Sequence, residues 1–211
     1  MKLSRYVIVG VVSVLLVFIS SISSIADSNN PEEVETIQVE IATPPPVGET
    51  QLSRGLASFY YTEFFARDVR KLPKSKTSSY PSFPGKPITE LNHQFGKDNV
   101  FDSKTNRGVG IRMTGFLQFP EAGSYEMQAL SNDGLIITLA DKVIINDPKQ
   151  HSDRLSNIAS IMIKQPGSYP IMIEYFQRKG TATLKLFWKK PGEMQYMPIP
   201  AEAYGHAKEK M

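Results

Sequence analysis

Polar and apolar residues alternate with a period of two through the middle of this chain. Residues 124–131 set Tyr125, Met127 and Ala129 on one face and Ser124, Glu126 and Gln128 on the other, the pattern of a strand with one buried side. Leu184, Leu186 and Trp188 share one parity and Lys185, Phe187 and Lys189 the other, so a core that receives the leucines also receives the tryptophan. By the same rule Glu174, opposite in parity to Ile171, Ile173 and Tyr175, is a solvated strand residue. Apolar runs at 55–61, 108–119, 134–140, 142–146, 157–164, 167–178 and 180–190 extend the series. Turns punctuate them at Ala140-Asp141-Lys142, Gln165-Pro166-Gly167 and Lys179-Gly180, the first closing a hairpin. No amphipathic helix long enough for an α/β crossover interrupts the series. The pattern predicts an all-β fold, an antiparallel β-sandwich or barrel. One stretch at 71–87, with four prolines and four lysines, breaks the spacing and reads as a long surface loop.

The ends of the chain differ from this middle. Lys2 and Arg5 precede a nearly pure apolar run at 6–19, which is the order of a secretory signal. Ser24-Ile25-Ala26 presents small residues where a signal peptidase cuts, with Asp27 next. The 21 uncharged residues between Arg5 and Asp27, at about 1.5 Å each, also match a hydrocarbon core of roughly 30 Å. Residues 1–26 are therefore expected to form an N-terminal hydrophobic helix, either a signal peptide or a membrane anchor, that sends the rest across the membrane. Lipoprotein anchoring is out, because it needs a cysteine. Residues 27–53 hold six acidic residues, no Lys or Arg, and Pro44-Pro45-Pro46, and read as an acidic, Pro-rich linker. A short strand through Val34, Ile37, Val39 and Ile41 is the alternative. The β domain is then 54–204, followed by a C-terminal tail at 205–211.

Charge and composition narrow the chemistry. The formal net charge of +3 conceals an asymmetry: residues 54–211 carry 22 Lys and Arg against 15 Asp and Glu, about +7, behind an acidic linker. A basic, exported, extracytoplasmic head suits anionic glycans or an acidic cell surface. Nucleic acid is not an expected partner, although Phe59, Tyr60, Tyr61, Phe64 and Phe65 offer rings, because aromatic runs in an all-β chain fill cores. The absence of cysteine excludes disulfides, cysteine-ligated metals and thiol catalysis. His93, His151 and His206 are the only histidines, each expected in a polar loop, and no Gly-x-Ser-x-Gly elbow accompanies them. His151 is the least improbable base, and it reads more simply as a loop residue that hydrogen-bonds its neighbours. Asp133, Asp141, Asp147 and Asp153 are the carboxylates available for glycoside hydrolysis, yet each stands at a turn, where Asp is favoured for its backbone hydrogen bonds. The chain is expected not to be an enzyme.

Seven blocks, in order, carry a resemblance. Gly55-Leu56-Ala57-Ser58-Phe59-Tyr60 opens the series, and Ile111-Arg112-Met113-Thr114-Gly115-Phe116-Leu117 and Gly123-Ser124-Tyr125-Glu126-Met127 follow. Next stand Ser131-Asn132-Asp133-Gly134-Leu135 and Asp141-Lys142-Val143-Ile144-Ile145-Asn146. Gly167-Ser168-Tyr169-Pro170-Ile171-Met172-Ile173-Glu174-Tyr175-Phe176 and Ala182-Thr183-Leu184-Lys185-Leu186-Phe187-Trp188 close it. In order and spacing they resemble the PA-fourteen (PA14) domain, a lectin-like β module named after the anthrax protective antigen. The resemblance implies a β-sandwich or barrel and, as in many relatives, carbohydrate binding. In the sugar-binding adhesins of that family two consecutive aspartates joined by a cis peptide hold a calcium ion, which chelates sugar hydroxyls, and a late loop completes the shell. The aligned pair here is Asn132 and Asp133, and the late loop is the tight basic turn Gln177-Arg178-Lys179-Gly180. The resemblance thus implies carbohydrate contacts at Asn132, Asp133, Arg178 and Lys179, with calcium on Asn132 and Asp133 as the one cofactor. Against calcium, an amide in the first place keeps an oxygen but loses a charge, and two cations stand nearby. The expected partner is a glycan or polysaccharide, with the membrane touched only through the N-terminal segment. The alternative is a structural domain that docks on a cell-envelope protein without metal.

Overall fold

The computed structural model describes residues 35–41, 52–75 and 79–207. The predicted N-terminal hydrophobic helix at 1–26 lies outside the described residues, as does most of the linker. Among the described residues no helix is long and apolar enough to cross a membrane. Among the described residues fifteen strands follow in order: β1 Thr36–Ile41, β2 Leu52–Arg54, β3 Ala57–Tyr61, β4 Ser82–Pro84, β5 Asn92–Gly96, β6 Val109–Phe119, β7 Gly123–Asn132 and β8 Leu135–Leu139. The second half supplies β9 Lys142–Asp147, β10 Arg154–Leu155, β11 Ile158–Ile163, β12 Gly167–Gln177, β13 Ala182–Lys189, β14 Met197–Pro198 and β15 Tyr204–Ala207.

They form two sheets. One runs β1-β11-β7-β13-β14, with β10 also on β7 and β5 on β13; the other runs β2-β15-β6-β12-β8-β9, with β3 on β6 and β4 on β3. Alternation decides which side of each strand is covered. In the second sheet Ile111, Met113 and Leu117 of β6 lie in register with Tyr175, Ile173 and Tyr169 of β12. In the first, Tyr125, Met127 and Ala129 of β7 join Leu184, Leu186 and Trp188 of β13. All of these are buried in one core between the sheets, so the all-β reading and the sandwich hold. Trp188 is 4% exposed and packs with Phe119 and Tyr125 at centroid distances of 6.0 and 5.8 Å, as its parity requires.

Several sequence expectations are corrected. Part of the linker is a strand: β1 pairs in parallel with β11, Thr36 opposite Ile158 through to Ile41 opposite Ile163. Its alternating apolar residues complete a sheet edge, which composition alone conceals behind the acidic residues. The end of the linker and the start of the tail also join the fold, because β2 pairs with β15. The loop at 71–87 carries β4, and Leu72 and Tyr80 pack with Tyr61, Phe64, Val69 and Phe176 in a second cluster. Glu174 does face outward, but it is ion-paired with Arg112 at 2.6 Å, and only 18% of its side chain is exposed. His93 and His206 stand on strands, not in loops; His93 stacks on Phe95, and burial pushes its imidazole pKa down.

Candidate functional site

Three crossings between the sheets converge at one end of the sandwich. β7 passes to β8 through Asp133-Gly134, β12 returns to β13 through residues 178–181, and β9 passes to β10 through residues 148–153. A crossing leaves its ladder, so its backbone groups need partners from elsewhere. Asp133 N donates to Phe176 O and Phe176 N to Gly134 O, both at 3.1 Å, which ties the first crossing to β12. Gly134 has no room for a side chain: a Cβ there would lie 2.5 Å from Lys149 O and 2.7 Å from Asp147 O. The peptide joining Asn132 to Asp133 is cis.

Side chains bind the crossings together. Asn132 Nδ2 donates to Asp153 Oδ1 at 2.8 Å and to Thr181 Oγ1 at 3.2 Å, and Thr183 Oγ1 donates to Asp153 Oδ2 at 2.9 Å. Asp133 Oδ2 accepts from Arg178 N at 2.7 Å. Tyr175 OH, fully buried, donates to Asn132 O at 2.6 Å. Burial pushes its phenol pKa well up, so it remains a donor. Asn132 and Asp133 are almost wholly buried, whereas Asp153 and Thr181 are exposed at the rim. Burial pushes the Asp133 carboxyl up, only partly offset by backbone N–H groups of Arg178 and His151.

A second carboxylate anchors the same end. Arg154 donates from Nε to Asp147 Oδ2 at 3.0 Å and from Nη2 to Oδ1, while His151 Nε2 lies 3.1 Å from Oδ2. Burial pushes the Asp147 carboxyl up, but His151 and Arg154 outweigh it and hold the group at about 2. Asp141 is elsewhere, in the two-residue turn of the β8–β9 hairpin. The aspartates singled out as a hydrolase set are thus divided: three are engaged by protein donors at this end, and one is remote.

Of the four predicted contact residues, Asn132, Asp133 and Arg178 do come together, with a difference. Arg178 meets Asp133 through its backbone N–H, while its Nε donates to Phe65 O at 3.0 Å. Lys179 Nζ lies 6.0 Å from the centroid of the Phe65 ring. The basic turn therefore clasps Phe65, which is 38% exposed. Sequence reasoning missed Phe65, Thr181 and Thr183 as members of this end, and took Asp153 for an ordinary turn residue. Sequence separations of up to 113 residues hid them, and only strand register brings them near.

A family model, described as the PA14 domain, matches residues 52–201, well over half of the chain. The chain belongs to the PA14 domain family. No curated protein matches it. Among solved structures, this PA14 domain is similar to an anti-sigma factor domain-containing protein from Clostridium clariflavum, at 19% identity and a TM-score of 0.59. That match covers 75% of this chain and 49% of the other, so the chain spans about half the length of that relative. The PA14 sugar-binding domain from an RTX adhesin is 15% identical, with a TM-score of 0.54 over 73% of this chain and 99% of that one. The Epithelial Adhesin 9 A domain from Candida glabrata, solved in complex with Galb1-4GlcNAc, is 11% identical, with a TM-score of 0.59 over 83% of this chain and 97% of that one. At these identities the likeness is one of fold.

The calcium that the resemblance implies can be tested against the donors present. Calcium takes several hard oxygen ligands and gains affinity from free carboxylate charge. Here the first member of the pair presents amide hydrogens to Asp153 and Thr181, both Asp153 oxygens already accept, and Asp133 Oδ2 is occupied by Arg178 N. Among the described residues no three His, Asp or Glu side chains gather so as to hold a metal ion. This donor set does not suit the ion.

Proposed function

We propose that this PA14 domain is an exported, non-catalytic carbohydrate-binding module, and that its binding surface is the end of the sandwich built on Asn132 and Asp133. The observation that carries the reading is the exposed Phe65, held by Arg178 through its backbone carbonyl and with Lys179 over its ring, at the end where Asp153 and Thr181 form an open polar rim. A sugar ring lays its C–H face on an aromatic and directs its hydroxyls to carboxylates and hydroxyls, which is what this end offers. Family membership and the sugar-bound state of a structural neighbour support it. The basic excess of residues 54–211 favours an acidic glycan.

Glycan-array retention of the full chain tests the reading. Binding is expected to an acidic polysaccharide or oligosaccharide, and Phe65→Ala and Asp153→Ala should each weaken it by about tenfold, the effect of roughly 1.4 kcal/mol. Retention on no glycan, or retention unchanged in both variants, overturns it and favours protein docking in the cell envelope. Export has its own readout: the mass of the protein recovered outside the cytoplasm, which begins at Asp27 if the apolar segment is cleaved.

A further inference from the structure

We infer that this end of the domain is closed to calcium by an internal hydrogen-bond lock, and that Asn132 is the residue that closes it. A carboxylate at 132 has no proton to give; the Asn132 amide has two, and it spends both across the gap, one on Asp153 Oδ1 at 2.8 Å and one on Thr181 Oγ1 at 3.2 Å. Thr183 Oγ1 donates to the other Asp153 oxygen at 2.9 Å, and Arg178 N takes Asp133 Oδ2 at 2.7 Å. The lock therefore spans the three crossings: β7 to β8 through Asn132 and Asp133, β9 to β10 through Asp153, and β12 to β13 through Arg178 and Thr181. Holding loops of one end in a fixed relation is a task that a bound cation performs by attracting oxygens. Here hydrogen-bond donors perform it.

The consequence is a switch in one residue. Asn132→Asp removes both donors and sets a second carboxylate against Asp153 where the amide stood, an oxygen pair that repels itself unless a cation lies between. The wild-type end should work without calcium, and the variant should need it. Neither statement depends on whether a glycan is the ligand, because the readouts are the heat of calcium binding and thermal stability.

Calcium chloride is titrated into the full chain by calorimetry, and thermal unfolding is followed in calcium and in EGTA. Wild type is expected to give no binding heat and the same Tm in both. Asn132→Asp is expected to melt lower in EGTA and to rise by about 3 °C or more at calcium about ten times its Kd. Calcium heat with a raised Tm in wild type overturns the lock, as does a folded Asn132→Asp that ignores calcium. Should that variant not fold, Asp153→Asn decides: it keeps an acceptor for the Asn132 amide, so a Tm indifferent to calcium supports the lock, and a loss confined to calcium overturns it.

Discussion

The space between the sheets and the end built on Asn132 solve opposite problems with the same strands. Between the sheets, inward residues are apolar and contact is non-directional: Trp188 meets Phe119 and Tyr125, and Ile111, Met113 and Leu117 meet their partners across β12. At the end, buried polar side chains hold their places through named donors or acceptors: Asn132 with Asp153, Asp133 with Arg178 N, Asp147 with Arg154. Apolar packing tolerates neighbours of about the right size, whereas a buried polar group that loses its partner is left at a cost. The core is therefore robust in identity but sensitive in volume, and the end is sensitive to single atoms.

Cutting the core should have the largest effect. Trp188→Ala removes a buried indole and is expected to lower stability by about 3–5 kcal/mol, read as a fall in the urea midpoint with the slope unchanged. A loss below about 1 kcal/mol would place the indole outside the packed core.

The acid limb of stability probes the end next. Asp147 is held at about 2 against an ordinary 3.8, so its contribution is complete above the unfolded value and is lost as pH falls toward the folded one. Between about pH 5 and pH 2 wild type should lose about 2 kcal/mol relative to Asp147→Asn. Asp133, displaced upward by burial, contributes in the opposite sense, but it is present in both proteins and drops out of the difference. Parallel pH profiles would show that Arg154 and His151 do not hold the carboxylate.

The smallest effect isolates a single hydrogen bond. Thr183→Val keeps the shape of a buried side chain and deletes the hydroxyl that donates to Asp153. A loss of about 1 kcal/mol by chemical denaturation is expected, with no change in the aromatic near-ultraviolet signal of the core. Equal stability would mean that water replaces the hydroxyl at the exposed carboxylate.

What could be read in the chain and what could not divides along the same line. Parity in residues 124–131 and 184–188 was enough to bury Tyr125, Met127, Leu186 and Trp188, and the turn residues were enough to close the β8–β9 hairpin. The short strands were not legible: β2, β4, β10, β14 and β15 have two to four residues each, too few to show a period. β1 was legible only as an alternative, since its apolar positions sit among glutamates. At the end, Asn132 and Asp133 were found through the Ser131-Asn132-Asp133-Gly134 block, but their partners were not, because no local pattern marks Thr181 or Phe65.

By itself, then, the sequence determined that the fold is all-β, which residues of its long strands turn inward, and that its charge divides into an acidic excess over 27–53 and a basic excess over 54–211. It could do so because burial and strand period are local properties, repeated often enough to be counted. Tertiary structure alone decided that Asn132 faces Asp153, that Arg178 offers Asp133 a backbone amide while its guanidinium turns to Phe65, and that Glu174 meets Arg112. Each of these contacts joins strands or crossings far apart in the chain. A polar atom's partner is set by direction and distance, which exist only once the two sheets have packed.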